Sequence, residues 1–135
     1  MAIYTTLSLD DARRLAEPYG LDVIGCEGLI AGSVNSNHAL TLADGTRVFA
    51  RIYEEQDADG ARDESALLDH LAGRGLPVAR PMARGDGTTL TEHEGKPVAL
   101  FPWVDGTMRC QATVSEGDAA TVGAALARIH LAGSP

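Results

Sequence analysis

The sequence predicts an α+β fold built on a five-stranded antiparallel sheet with one crossing helix, and three observations support that class. The chain has 135 residues, which is room for one ordinary domain. Hydrophobic residues make up 44% and charged residues 22%, which are the proportions of a folded globular protein. Short apolar segments bounded by turn residues outnumber the segments with helical periodicity.

The charge balance excludes several classes of partner. Eleven basic side chains stand against nineteen acidic ones, for a net charge of -8. Such a field repels phosphate backbones and anionic lipids, so neither a nucleic-acid nor a membrane-surface role is expected. The first residues lack a basic flank followed by an apolar stretch, so the expected compartment is the cytoplasm. Lys96 is the one lysine, so an anion site would rely on arginine and backbone N–H groups.

The first element is a short helix. Ser8 followed by Asp11 is typical of a capping box, and the helical periodicity continues to Ala16. Pro18 and Gly20 then end the helix. We expect this helix to cover one face of the sheet.

Three antiparallel strands are predicted next. The segments Val23–Ile30 and Ser36–Leu42 are strand candidates joined by a bend of small residues at Gly32–Asn35. Asp44-Gly45 separates the second strand from Arg47–Tyr53 and is the strongest hairpin signal in the sequence.

The middle of the chain combines a helix with short strands. Ala61–Ala72 has helical periodicity and ends at a glycine. Two further turn signals leave short strands at Met82–Arg84, Thr88–Thr91 and Pro97–Phe101. We interpret the sheet as a five-stranded antiparallel meander crossed by this helix.

The last part of the chain is a linker followed by a helix. Pro102–Gly106 is the predicted linker, and Ser115 with Asp118 caps the helix that follows. This helix has an apolar stripe of three residues, Val122, Leu126 and Ile129.

A carboxylate on the middle helix carries the strongest functional signal. Glu64 shares one helix face with three leucines at positions 67, 68 and 71. An unpaired anion facing a core would cost several kcal/mol, so it needs a cation. Arg51 is the candidate, because it lies in the middle of the third strand between Phe49 and Tyr53 on the same face. The alternative is that Glu64 lies at the edge of the apolar stripe and reaches water.

This order of elements resembles a protein-kinase-like amino-terminal lobe (N-lobe). The sequence is similar to the small-molecule kinases of the aminoglycoside phosphotransferase and choline kinase superfamily, and within it most closely to the kinase-fold homoserine kinase family. Six segments carry the resemblance: Ile3–Ser8, Ile30–Asn37, Val48–Glu54, His70–Val78, Pro97–Phe101 and Leu126–Gly133.

The resemblance implies a nucleotide site. The bend residues that would cover the ATP phosphates are Gly32, Ser33, Val34, Asn35 and Asn37. Arg51 would hold the α- and β-phosphates, and Glu64 would orient Arg51. The hinge to adenine would comprise Phe101, Trp103 and Val104. Trp103 has an alternative role as a plug for the exposed surface of the lobe, and a Gly-containing turn alone is more often a simple hairpin.

The resemblance also implies which parts are outside this chain. Residues 1–106 would form the N-lobe with its hinge, and residues 107–135 would begin the second lobe. The family's aspartate base and its magnesium ligands would follow the last helix, so no catalytic residue is expected here. The four histidines lack metal-ligand spacing, so no metal site is expected either. We expect ATP with Mg²⁺ to act in the complete enzyme and to bind this chain weakly.

The expected function is the ATP-binding part of a homoserine kinase, which makes O-phospho-L-homoserine for threonine biosynthesis and is inactive without the second lobe. One alternative is an aminoglycoside- or choline-type phosphotransferase. Another is a self-standing, non-catalytic module that binds a nucleotide or a protein. An uncovered last helix would favour a homodimer.

Overall fold

The computed structural model describes residues 3–134, so the predicted outer boundaries at Met1 and Pro135 lie outside it. The strands are β1 (Val23–Leu29), β2 (Ser36–Leu42), β3 (Arg47–Ile52), β4 (Leu90–His93) and β5 (Lys96–Pro102). The helices are α1 (Leu9–Ala16), α2 (Ala58–Gly73) and α3 (Glu116–Gly133), with a 3-10 turn at Glu17–Tyr19. Within the described range, no helix combines the length and the apolar character that a bilayer crossing needs.

The five strands form one antiparallel sheet, as predicted, but the sheet is not a meander. The strand order is β1-β2-β3-β5-β4, so β5 lies between β3 and β4. The apolar strand β5 is paired on both sides and almost wholly buried, whereas the short polar strand β4 forms an edge. The predicted strand at Met82–Arg84 is an extended segment outside the sheet ladder, although the Met82 N–H donates to the Leu100 carbonyl at 2.8 Å.

The sheet separates two apolar clusters. Alternate residues of β3 point to opposite faces, as predicted, with Ile52 in one cluster and Phe49 against the other. The larger cluster includes Leu15 of α1 and covers the face that α1 packs on. The smaller cluster, around Tyr53 and Phe101, lies on the face that α2 crosses.

The start of α1 confirms the predicted capping box. The Ser8 hydroxyl accepts from the Asp11 backbone N–H at 3.0 Å, and the Asp11 carboxylate accepts from the Ser8 N–H at 3.2 Å. Gly20 ends the 3-10 turn with a φ of 71°, a left-handed conformation that favours glycine.

The buried face of α2 differs from the predicted one. The helix begins at Ala58, three residues earlier than expected, because Asp57 caps it through the Gly60 N–H. Leu71 is buried, but Leu67 is 52% exposed. The helix packs through Ala61 and Ser65 instead. Small side chains there let α2 approach the sheet closely, which rotates Leu67 towards solvent.

The last helix α3 begins at the predicted cap, where Ser115 accepts from the Asp118 N–H at 3.0 Å. Its apolar stripe is largely uncovered, and none of its residues is buried. One contact ties its end to α2, where His70 Nε2 donates to the Ala132 carbonyl at 3.0 Å.

Candidate functional site

The predicted pair of Arg51 and Glu64 is present. Arg51 Nη1 donates to Glu64 Oε1 at 3.1 Å, which joins the end of β3 to α2. The two side chains keep 30% and 28% of their surface exposed. The alternative for Glu64 therefore also holds in part, because the carboxylate reaches water while it pairs with the arginine.

Two aromatic rings on the same face of the sheet lie beside the Arg51 guanidinium. Its Cζ atom lies 5.7 Å from the centre of the Phe49 ring and 5.4 Å from that of Phe101. Its Nε atom is buried without a hydrogen-bond partner. A fixed guanidinium with spare N–H groups is suited to binding an anion.

The phenol of Tyr53 lies beside this pair. Burial, and then the Glu64 charge, raise the pKa of Tyr53 to about 12. The phenol therefore stays protonated at neutral pH and adds no second negative charge next to Arg51.

The glycine bend leads directly to Arg51. Asn37, where the bend enters β2, is paired with Arg51 across the β2–β3 ladder, so both side chains point to the same face. Gly32 has a φ of 103°, and a Cβ atom there would come within 3.0 Å of Asn37 Nδ2. The Asn37 amide also donates to the Ala31 carbonyl at 3.4 Å. The bend therefore needs glycine at position 32 both for its conformation and for space.

The predicted hinge residues separate into three environments. Phe101 is buried under the sheet face that carries Arg51, whereas Val104 is 74% exposed. Trp103 is half-buried between two residues of β3. The Arg47 guanidinium lies 4.2 Å from its ring centre, and the Phe49 ring centre is 6.4 Å away. Trp103 thus extends the aromatic surface beside Arg51, and both of its predicted roles stay predictions.

Five of the predicted site positions therefore come together on one sheet face: Gly32, Asn37, Arg51, Glu64 and Phe101. Ser33 and Val34 lie on the exposed outer part of the bend. The assignment of all ten predicted site positions to nucleotide binding stays a prediction. Among residues 3–134, no group of three or more histidine, cysteine or acidic side chains is arranged to hold a metal ion.

The sequence analysis missed a buried polar network at the base of the bend. Glu54, directly after β3, accepts from Lys96 Nζ and from Ser36 Oγ, each at 2.6 Å. Burial alone would raise the pKa of Glu54, but the hydrogen bonds from Lys96 and Ser36 outweigh it and lower the pKa. The Asp44-Gly45 turn sets the register that places Ser36 opposite Ile52. That register could have predicted the part of the network in which Ser36 contacts Glu54.

A broad cavity of about 1440 Å³ adjoins the site without including Arg51 or Glu64. Its walls are the first half of α2, the loop before it, and the segment from Arg80 to Pro97. Positively charged arginines and negatively charged carboxylates both line the cavity. The cavity therefore presents no uniform electrostatic field to an ion.

The chain matches the model of the "Phosphotransferase enzyme family" over residues 25–135. It is 37% identical over 134 residues to the homoserine kinases of Burkholderia pseudomallei (strain 1710b) and Burkholderia multivorans (strain ATCC 17616 / 249). These matches cover 98% of the chain and 40% of each relative, so the chain spans about two fifths of their length. The structure of spectinomycin phosphotransferase in complex with ADP and spectinomycin is similar over 97% of this chain and 40% of that one, with a TM-score of 0.76 and 11% sequence identity.

Proposed function

Because the chain belongs to the phosphotransferase enzyme family, we propose that it is the ATP-binding portion of a small-molecule kinase and that the phosphoryl acceptor is homoserine. The observation that carries the nucleotide part is the Arg51–Glu64 pair beside the Gly32 bend. The acceptor rests on the homoserine kinases that match the chain. We also propose that the protein works in the cytoplasm, where ATP is available.

On this proposal the two charged residues have different roles. The guanidinium of Arg51 would bind phosphate oxygens through N–H groups that Glu64 leaves free, since only Nη1 donates to the carboxylate. Glu64 would keep the guanidinium in place and would not touch the nucleotide. Backbone N–H groups of the bend would approach the phosphates, because Gly32 carries no side chain to block them.

The described residues fit the nucleotide but not its magnesium ions. The guanidinium N–H groups that Glu64 leaves free and the absence of a side chain at Gly32 suit a phosphate chain, whereas no acidic cluster among the described residues suits Mg²⁺. We therefore assign metal binding and proton removal from homoserine to parts of the protein outside this chain. The uncovered apolar stripe of α3 would pack on those parts.

Titration with Mg-ATP tests nucleotide binding directly. We expect a Kd of about 1 mM, corresponding to about -4 kcal/mol, with amide chemical shifts changing at the bend and at Arg51. Arg51→Met should abolish these changes, whereas Arg80→Met, which removes an exposed arginine paired with Asp69, should leave them intact. Shifts spread evenly over the surface, or a micromolar Kd, would contradict the proposal.

A chimera tests whether this chain can serve as the ATP-binding portion of a homoserine kinase. This chain would replace the matching two fifths of the Burkholderia pseudomallei homoserine kinase, and product formation would be measured with homoserine, choline and an aminoglycoside. Phosphorylation of homoserine, lost in Arg51→Met, is the expected result. A folded chimera that binds ATP but transfers no phosphate to homoserine would favour a self-standing nucleotide-binding module.

A further inference from the structure

Glu54 lies at the centre of the polar network on the sheet face opposite Arg51. Its two carboxylate oxygens have separate donors. Oε1 accepts from the Ser36 hydroxyl at 2.6 Å, and Oε2 accepts from Lys96 Nζ at 2.6 Å. The Glu54 side chain is only 9% exposed, so both bonds are sheltered from water and are charge-assisted.

The same network fastens the start of the described chain to the sheet. Ser36 Oγ accepts from the backbone N–H groups of Tyr4 and Thr5 at 2.9 and 3.0 Å. Lys96 Nζ also donates to the Thr5 hydroxyl at 2.8 Å. Because Ser36 accepts two N–H groups, its own proton is the one it gives to Glu54.

The glycine bend is attached to this network at its base. Ser36 is the first residue after the bend, and the Glu54 backbone N–H donates to Asn35 Oδ1 at 3.4 Å. The outer part of the bend is fastened too, because the Tyr4 hydroxyl donates to the Ser33 carbonyl at 3.4 Å. The carboxylate itself acts on the bend through Ser36, whose hydroxyl donates to it and accepts from the N–H groups of Tyr4 and Thr5.

We propose that the Glu54 side chain is a positioning group for the nucleotide phosphates, acting through the Ser36 hydroxyl at the base of the bend without touching the nucleotide. This inference rests on the proposed function. A bend held in one conformation presents its N–H groups without first losing conformational entropy, which improves affinity.

The network requires a carboxylate rather than an amide. Glutamine at position 54 has one acceptor oxygen, yet Lys96 and Ser36 both need an acceptor there. Its NH₂ group would face either an ammonium group or a hydroxyl whose lone pairs are already engaged. Replacing Lys96 by a residue without a donor should remove this conflict, because the glutamine oxygen is then free to accept from the Ser36 hydroxyl.

Two measurements on the chain test the role. The first is the 15N order parameter of the Gly32–Asn35 amides without nucleotide, and the second is the Kd for Mg-ATP. Glu54→Gln should lower the order parameters in the bend from about 0.85 to below about 0.6 and weaken ATP binding threefold to tenfold. The double variant Glu54→Gln with Lys96→Met should restore both. Glu55→Gln, which changes the exposed neighbouring carboxylate, should change neither.

Three results would overturn the positioning role: unchanged order parameters in the bend, an equal loss of order at every amide, or lower order parameters in the bend with an unchanged Kd. An equal loss of order would mean that Glu54 only stabilises the fold. Failure of the unsubstituted chain to bind ATP would instead refute the proposed function, so the two failures are distinguishable.

Discussion

The Arg51–Glu64 pair makes the most exacting prediction, because its strength can be measured in isolation from catalysis. The perturbations are Arg51→Met, Glu64→Gln and the double variant, each compared by urea unfolding. The double-mutant cycle removes the effects that each substitution has on other neighbours and leaves the coupling free energy of the two side chains.

The structure sets the expected size of that coupling. Two unit charges about 4 Å apart at an effective dielectric constant of about 20 attract by about 4 kcal/mol, and partial removal from water opposes most of this attraction. Fully exposed pairs are worth about 0.2–1 kcal/mol. Since the side chains are about 70% covered, with 30% and 28% of their surface exposed, we expect about 1–2 kcal/mol.

The exposed pair of Arg80 and Asp69 is the matched control. Its N···O distance is shorter, at 2.7 Å, but its side chains are 56% and 58% exposed. We expect the smaller coupling there, about 0.5 kcal/mol, in spite of the better distance. A coupling for Arg51 and Glu64 no larger than this control would show that burial does not strengthen the pair, and the reasoning would fail.

Three further predictions concern individual positions in the fold. Gly32→Ala should destabilise the chain by about 1–3 kcal/mol in urea unfolding, since φ there is 103°; Gly123→Ala, in the exposed part of α3, should instead stabilise it by up to about 1 kcal/mol. Burial, and then the charge of His93, lower the pKa of His38 below its ordinary value of 6.5, so the unfolded chain takes up the proton first and stability should fall as the pH drops below about 6.5. His38→Gln should flatten that dependence in urea titrations, and an unchanged slope would assign it to other groups. Ser8→Ala should cost about 1 kcal/mol of thermal stability through loss of the α1 cap, and an unaltered Tm would contradict the role of the capping box.

Local signals predicted much of this fold. Capping boxes depend on residues three apart, so Ser8 and Ser115 could be identified directly. The alternation of β3 and the isolated carboxylate of α2 were enough to predict the Arg51–Glu64 contact, because a buried charge has few acceptable partners.

Non-local order was harder to predict. Placing β5 between β3 and β4 requires knowing which strand buries more surface, and the linear pattern favoured a meander. The side chain of Leu67 matched a helical stripe, yet the small residues Ala61 and Ser65 decided the packing face. The Glu54 network joins four separate segments of chain, and no local spacing indicates such a set.

The division of the core between the two sheet faces has a consequence for motion. The cluster beneath α1 contains twelve buried apolar residues, whereas the cluster beneath α2 contains four. Elements with less buried contact open at lower free energy. We therefore expect α2 to swing or fray while α1 and the strands stay in place, so that Glu64 can withdraw from Arg51 without unfolding the protein. Because Glu64 would separate from Arg51 reversibly, contacts made on α2 would change the affinity of Arg51 for phosphate.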